Sequence, residues 1–311
     1  MAVRIGGQAV MEGVMMKNMD RYAVSVRKPD GKIETKVRKC ESFADKHPIF
    51  KLPVLRGVVN FVESMVLGIS TLNYSASFFE EEEEEELGKI DQMLDKISSG
   101  KGENVVMAVV MIISLAISIG LFMILPYLAS EILGRWVGNP YIILLAEGLI
   151  RIGIFLGYIV LISRMEDIRR VFMYHGAEHK TINCLEAGED LTPDNVMKYS
   201  RLHKRCGTSF IFIVMIISMV FFFFIRVDVI WLRVALRLLL LPVVAGVSYE
   251  FIRLAGSSDN FLVQIFSKPG LCLQRLTTKE PDRSMIEVAI ASVEGVFDWR
   301  EYLKKERNGH E

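Results

Sequence analysis

Apolar positions along this chain are gathered into long blocks. Residues 105–125 form an almost unbroken apolar run with no charge in it. Residues 141–162 form a second, interrupted only by Glu147 and Arg151, and residues 209–225 and 229–247 form a third and a fourth. Runs near ~20 residues match the thickness of a hydrocarbon core, so the pattern predicts four transmembrane helices. Helices buried in a water-soluble core keep a polar stripe, and the first and third runs have none.

Between and around the blocks the periodicity changes. Residues 22–27 and 32–38 read as strands about a Pro29-Asp30-Gly31 turn, which predicts a β-hairpin. Before it, GGQAVMEGVMM at residues 6–16 carries paired glycines with Gln8 and Glu12 close by. Glycines allow close backbone approach, so Gln8 and Glu12 are expected beside the functional site; a tight loop on the membrane face is the other reading. From Pro53 to about residue 79, Arg56, Asn60, Glu63, Ser64, Gly68, Thr71 and Ser75 fall at helical spacing. That predicts an amphipathic helix, interfacial or re-entrant, because a spanning helix would put the basic N-terminus outside. A last amphipathic helix follows the Pro281-Asp282 step, with Met285, Ile286, Ala289, Ile290, Val293 and Phe297 on one face.

The fold expected is thus a mainly α integral membrane protein with a small cytoplasmic α+β part. Its regions are an N-terminal segment with the hairpin (1–52), the amphipathic helix (53–79), an acidic linker (80–102) and two spans (103–164). A cytoplasmic helical hairpin (165–208), two further spans (209–253) and a C-terminal segment (254–311) complete it. Seven consecutive glutamates at 80–86 read as a solvated run.

Charge placement orients the spans. Lys and Arg crowd the segment between the second and third runs and the N-terminal part, while the other connections carry few. By the positive-inside rule both termini are cytoplasmic. Cys40, Cys184, Cys206 and Cys272 then all face a reducing compartment. Lys plus Arg and Asp plus Glu number 37 each, so nothing in the balance points to nucleic acid; the partners expected are membrane lipids and a membrane-associated substrate or protein.

Chemistry concentrates in the cytoplasmic hairpin, which holds three of the five histidines, His175, His179 and His203. His175 and His179 stand one helical turn apart with Glu178 between them, the His-x-x-Glu-His order in which two imidazoles bind zinc and the glutamate is a general base. The second span is expected to run on as a helix to about Glu186 and stop at Gly188; Thr192 and Pro193 then start a helix back to Gly207. At 1.5 Å per residue, His175 and Cys206 come level, each ~18 Å from the turn, and His203 faces His179. Four nitrogen and sulfur ligands would converge, with zinc the divalent metal expected; a water bound to it would lose its proton to Glu178. A fully ligated site would instead be structural, and histidines merely hydrogen-bonded within the fold are a third reading. A second constellation lies within the spans: Glu147 is expected level with Arg233, as a structural ion pair.

GGQAVMEGVMM, Pro53-x-x-Arg56-Gly57, YHGAEHK, HKRCGTSF, YEFIRLAG and PGLCLQRLTTKEP together resemble the YqhQ-like bacterial membrane protein family over nearly the whole chain. That family is carried as a domain of unknown function and a predicted metal-dependent enzyme, and its signature positions are present here as His175, Glu178, His179, His203 and Cys206. Its members more often have proline where this chain has Lys204, which changes how the helix ends and removes no ligand. The expectation is a membrane-embedded, metal-dependent hydrolase acting at the cytoplasmic interface on a lipid-linked or membrane-peptide substrate. The alternative is a non-enzymatic membrane assembly or scaffold factor.

Overall fold

The structure is a computed structural model, and it describes residues 5–79, 102–225, 227, 229–257 and 261–308. The acidic run at 80–86 and most of the 80–102 linker lie outside the described residues. The chain is mainly helical, with one four-stranded antiparallel sheet at its N-terminus. Two compact units divide it: Met1–Phe78, Val160–Ile217 and Leu240–Glu311 form the first, Phe79–Ile159 and Ser218–Leu239 the second.

Strands β1 (Ile5–Val10), β2 (Gly13–Asn18), β3 (Arg21–Arg27) and β4 (Ile33–Lys39) pair in sequence order. The expected hairpin is β3–β4, turned at Gly31, whose φ of 81° is a glycine conformation. The glycine-rich stretch before it is a second hairpin, β1–β2, reversing at Met11–Glu12 with Glu12 at φ 48°. It was hidden because that turn has none of the Asn-Gly or Asp-Gly chemistry that marks tight hairpins.

After the short α1 (Phe43–Lys46) and a 3-10 turn at Pro48–Lys51 comes α2 (Leu55–Ala76). Helix α3 (Gly102–Ile119) passes through a wide turn at Gly120–Ile124 into α4 (Leu125–Gly134), and α5 spans Pro140–Ile162. Then follow α6 (Glu166–Glu186), α7 (Pro193–Val196), α8 (Gly207–Phe223) and α9 (Ile230–Ser257). Helices α10 (Phe261–Thr277), α11 (Arg283–Val296) and α12 (Trp299–Asn308) close the chain. Among the described residues, four helices are long and apolar enough to cross a membrane: Leu55–Ala76, Val109–Gly134, Pro140–Ile162 and Trp231–Leu254. Gly207–Phe223, expected as a full span, is a shorter apolar helix.

The core of the first unit forms where α11 lays Met285, Ile286, Val288, Ala289 and Val293, all buried, against the sheet and against α6. Asp282 caps α11, accepting from the Met285 N–H at 3.0 Å. Helix α6 contributes Tyr174, Ala177, Ile182 and Leu185 to the same core. Its end is as expected, with Gly188 at φ 78° closing it. Its beginning is not: the chain breaks after α5, and Met165 starts α6 afresh, with Glu166 and Asp167 in its first turn.

Helix α2 is amphipathic, as its spacing predicts. Gly57, Gly68, Thr71 and Ser75 are its buried residues, while Phe61, Val62, Met65, Val66, Ile69 and Leu72 are exposed. Small and hydroxyl side chains face the protein and large apolar ones face out. Gly57 and Gly246 let α2 and α9 touch, since a Cβ on either would fall within 3 Å of the other segment's backbone. Arg56 holds Glu250 across the same contact, from Nε to Oε1 at 2.6 Å.

Candidate metal centre

Three of the expected ligands come together. One ligand atom each from His175, His179 and Cys206 lies within 4.8 Å of the others, and His175 Nε2 is 3.2 Å from Cys206 Sγ. Each imidazole is held from behind by a main-chain carbonyl: Nδ1 of His175 lies 2.9 Å from the Thr277 oxygen, and Nδ1 of His179 2.6 Å from the Arg201 oxygen. A carbonyl oxygen can only accept, so the proton sits on Nδ1 and the Nε2 lone pair is the one left for a metal. Burial pulls the His179 imidazole below its ordinary pKa, which favours the same neutral form. The sulfur receives the Thr208 N–H at 3.4 Å and has the Thr208 hydroxyl at 3.1 Å, at the start of α8. Two nitrogens and a sulfur at these separations fit the ~2.0–2.3 Å bonds of tetrahedral zinc.

The scaffold behind these atoms differs from a helical hairpin. The expected return helix is the single turn α7, capped by Thr192, whose hydroxyl accepts from the Asn195 N–H. From 197 to 206 the carbonyls that would build a helix are taken by side chains of α6. Lys180 Nζ donates to Met197 O at 3.0 Å, Asn183 Nδ2 to Ser200 O and Leu202 O at 2.7 and 3.1 Å, and His179 binds Arg201 O. Cys206 still arrives level with His175.

His203 leaves the expected ligand set. Its Nε2 lies 3.3 Å from Glu186 and its Nδ1 accepts from the Arg205 N–H at 3.4 Å, so both ring nitrogens face partners other than the cluster. Gln274, fully buried, fixes the backbone there: its Oε1 accepts the His203 N–H at 2.9 Å, and its Nε2 donates to the His203 carbonyl and to Ser209 Oγ, both at 2.8 Å. Sequence reasoning passed over Gln274 and Asn183. The signal for Gln274 was its place inside the PGLCLQRLTTKEP stretch.

Glu178 is 5% exposed, and burial pushes its carboxyl above the ordinary carboxylate range. It lines a cavity of about 500 Å³ together with His175, His179, Cys206 and Gln8. The N–H of Gly7 lies against its carboxylate. A Cβ at Gly7 would stand 2.9 Å from Glu178 Cδ and 2.8 Å from the Met15 oxygen, so this approach needs glycine. Gln8 reaches the site as expected, packed on Gly68. Glu12 does not line the cavity: its carboxylate is held by Arg170 and by Tyr174, whose hydroxyl is 3.2 Å away.

The ion pair expected within the apolar helices also changes partner. Glu147 binds Arg151 at 2.7 Å and Arg237 through both guanidinium nitrogens, not Arg233. Arg233, one turn earlier and near the start of α9, donates from Nε to Val227 O and lies over the Tyr127 ring. The two arginines share a helix face, and the level expected from sequence was off by that one turn.

Apolar helices of membrane-crossing length, a small antiparallel sheet and a two-histidine, one-cysteine cluster therefore define a helical protein with a candidate metal centre. The chain belongs to the family described as Protein of unknown function (DUF1385), whose model matches residues 52–299. It is 36% identical over 290 residues to Uncharacterized protein YqhQ of Bacillus subtilis (strain 168), covering 92% of this chain and 90% of that one. No solved structure matches it.

Proposed function

We propose that the chain is a membrane-embedded, metal-dependent hydrolase whose centre is His175, His179 and Cys206, with Glu178 as general base. The carrying observation is that three ligand atoms converge, backed by carbonyl-held Nδ1 atoms, beside a cavity that also holds a buried carboxylate. Three protein ligands are the number found in catalytic zinc sites, whereas closed structural sites use four. A divalent ion, zinc by the donor set, would supply Lewis acidity and a lowered pKa for water.

The chain's own residues supply the rest. Glu178, raised by burial, takes the proton of the water nucleophile on its carboxylate and returns it to the leaving group. Gln8, Ser64 and Thr208 offer polar groups along the cavity, while Phe172 and Ile211 give it apolar wall. That mixture suits a substrate with a lipid or apolar-peptide portion.

The membrane reading keeps four spans, at 105–125, 141–162, 209–225 and 229–247, with both termini cytoplasmic on the Lys/Arg distribution. Helix α2 lies along the interface in this reading. It is tied over its whole length to elements of the first unit: Glu63 accepts from Ser42 Oγ, Gly68 meets Gln8, and Ser75 Oγ accepts from the Met11 N–H. A helix crossing the bilayer would carry one end ~30 Å from the other side. Its exposed apolar face then rests in lipid.

The scaffold reading is favoured by one feature: the donors and their carbonyl supports come from α6, the 197–206 segment and the end of α10, so an ion there would also staple the fold. Elemental mass spectrometry on detergent-purified protein, beside a His175→Ala/His179→Ala variant, tests the centre. About one zinc per chain, lost in the variant, is expected; none in the wild type overturns it. Glu178→Gln separates the readings: metal retained with function lost by about 10²-fold or more supports a base, and unchanged function in cells supports a scaffold.

A further inference from the structure

The second unit has a cavity of its own, about 610 Å³, at the ends of its helices where α4 leads to α5 and α8 to α9. We propose that it binds a phosphate-bearing ligand through Arg233 and Arg135. Nothing in the His/Cys chemistry bears on this site.

The charged residues lining the cavity are Arg135, Arg233, Glu131 and Glu147, and Glu147 is paired from outside that lining with Arg151 and Arg237. Glu147 is already shared by Arg151 and Arg237, both buried, so that group carries a net positive charge inside apolar surroundings. Unbalanced charge at membrane depth is costly, and among the described residues Glu147 is the one carboxylate that pairs with Arg151 and Arg237. Arg237 Nε is buried without an acceptor, beside a small void that borders Leu144 and Glu147, as the large cavity does.

Arg233 supplies the reading group. Among the described residues its one hydrogen bond runs from Nε to the Val227 oxygen at 2.7 Å, and the Tyr127 ring, 4.5 Å from its Cζ, fixes the guanidinium plane. That leaves the paired terminal nitrogens for the cavity, the fork that matches two phosphate oxygens. Glu131 and Tyr127 line the same cavity. Apolar wall from Ile143 and Leu144 suits acyl chains below such a headgroup. The recognised chemistry is the phosphate; its source is a lipid headgroup or the free ion.

The test uses the full chain in maltoside micelles doped with phosphatidylglycerol or with a phosphate-free glucosyl diacylglycerol of the same chains, read by native mass spectrometry. Phosphatidylglycerol should be retained about tenfold better than the glycolipid, and Arg233→Ala should erase the difference, as loss of a bidentate charged contact implies. Arg135→Gln, at an exposed position, should weaken retention severalfold and stands in if Arg233→Ala does not fold. Arg300→Gln, on the first unit, should change nothing. Displacement by inorganic phosphate assigns the site to the free ion, and lack of displacement assigns it to lipid. Equal retention of the two lipids, or full retention by whichever variant folds, overturns the proposal.

Discussion

Two buried polar clusters in this chain look alike in composition and differ in the direction of their bonds. Around His175, His179 and Cys206 the fixed bonds to main chain and to Thr208 lie behind the ligand atoms, and the atoms converge. Around Glu147 the bonds run between the members, so both carboxylate oxygens are used by Arg151 and Arg237. Arg151 is anchored further by donating to Phe122 O, a carbonyl within the wide turn at Gly120–Ile124. The Phe222 ring lies 5.3 and 4.9 Å from the two guanidinium carbons, a second partner for both. One cluster is arranged to hold something else; the other largely holds itself. Burial and residue type alone would not have separated them.

The sharpest way to break that comparison is to remove the hub of the second cluster. Glu147→Leu leaves two arginines facing each other without a carboxylate and should cost about 3–5 kcal/mol, measured by denaturant unfolding in micelles. Replacing Glu147, Arg151 and Arg237 together with Leu or Met should recover most of the loss, since a buried ionic group and a well-packed apolar one are often close in energy. If the single change is silent, the cluster is not the self-contained structural group described. The first cluster should respond instead to chelation. A ligand held at a thousand times its Kd stabilises by about 4 kcal/mol, so a chelator should lower unfolding stability by up to that amount in wild type. The His175→Ala/His179→Ala variant should show no chelator effect.

How far each cluster could be read from sequence follows from what fixes it. His175, Glu178 and His179 were legible because helical spacing is local, and Cys206 because a reversal at Gly188 limits where the chain can return. His203 was misplaced because its ring direction depends on Glu186 and on the Gln274 clamp, contacts distant in sequence. The return segment was misread as a helix because its carbonyls are captured by Lys180, Asn183 and His179, a competition no propensity scale contains. Gly7 was read rightly as a place of close approach, though only the sheet shows that it approaches Glu178. Helix α2 was legible as an amphipathic helix because its period is local, but pattern gives only the period of a face, and the environment decides which side is buried.

Asn183 sharpens the comparison at a smaller scale. It touches no ligand atom, yet its side-chain amide spans Ser200 O and Leu202 O, on either side of the carbonyl that holds His179. Asn183→Ala should therefore weaken metal binding about tenfold, the lower end of the cost of losing an outer support. Competition with a metal-sensing dye measures this, and the chain should stay folded. An unchanged affinity would mean that the Arg201 carbonyl is positioned without Asn183.

The smallest effect expected is at Arg233, and it distinguishes the observed ion pair from the one the sequence suggested. Arg233→Gln gives up one hydrogen bond to Val227 O and the contact with Tyr127, together about 1–2 kcal/mol. Arg237→Gln gives up two bonds to Glu147 inside the helices and should cost about 3–5 kcal/mol. The two residues are the same type, one turn apart on one helix, so propensity and hydropathy effects cancel between them. Unfolding of both variants in phosphate-free detergent gives the ratio directly. Equal losses would return Arg233 to the pairing with Glu147; a loss confined to Arg237 fixes the ion pair at the deeper turn and leaves Arg233 to the cavity.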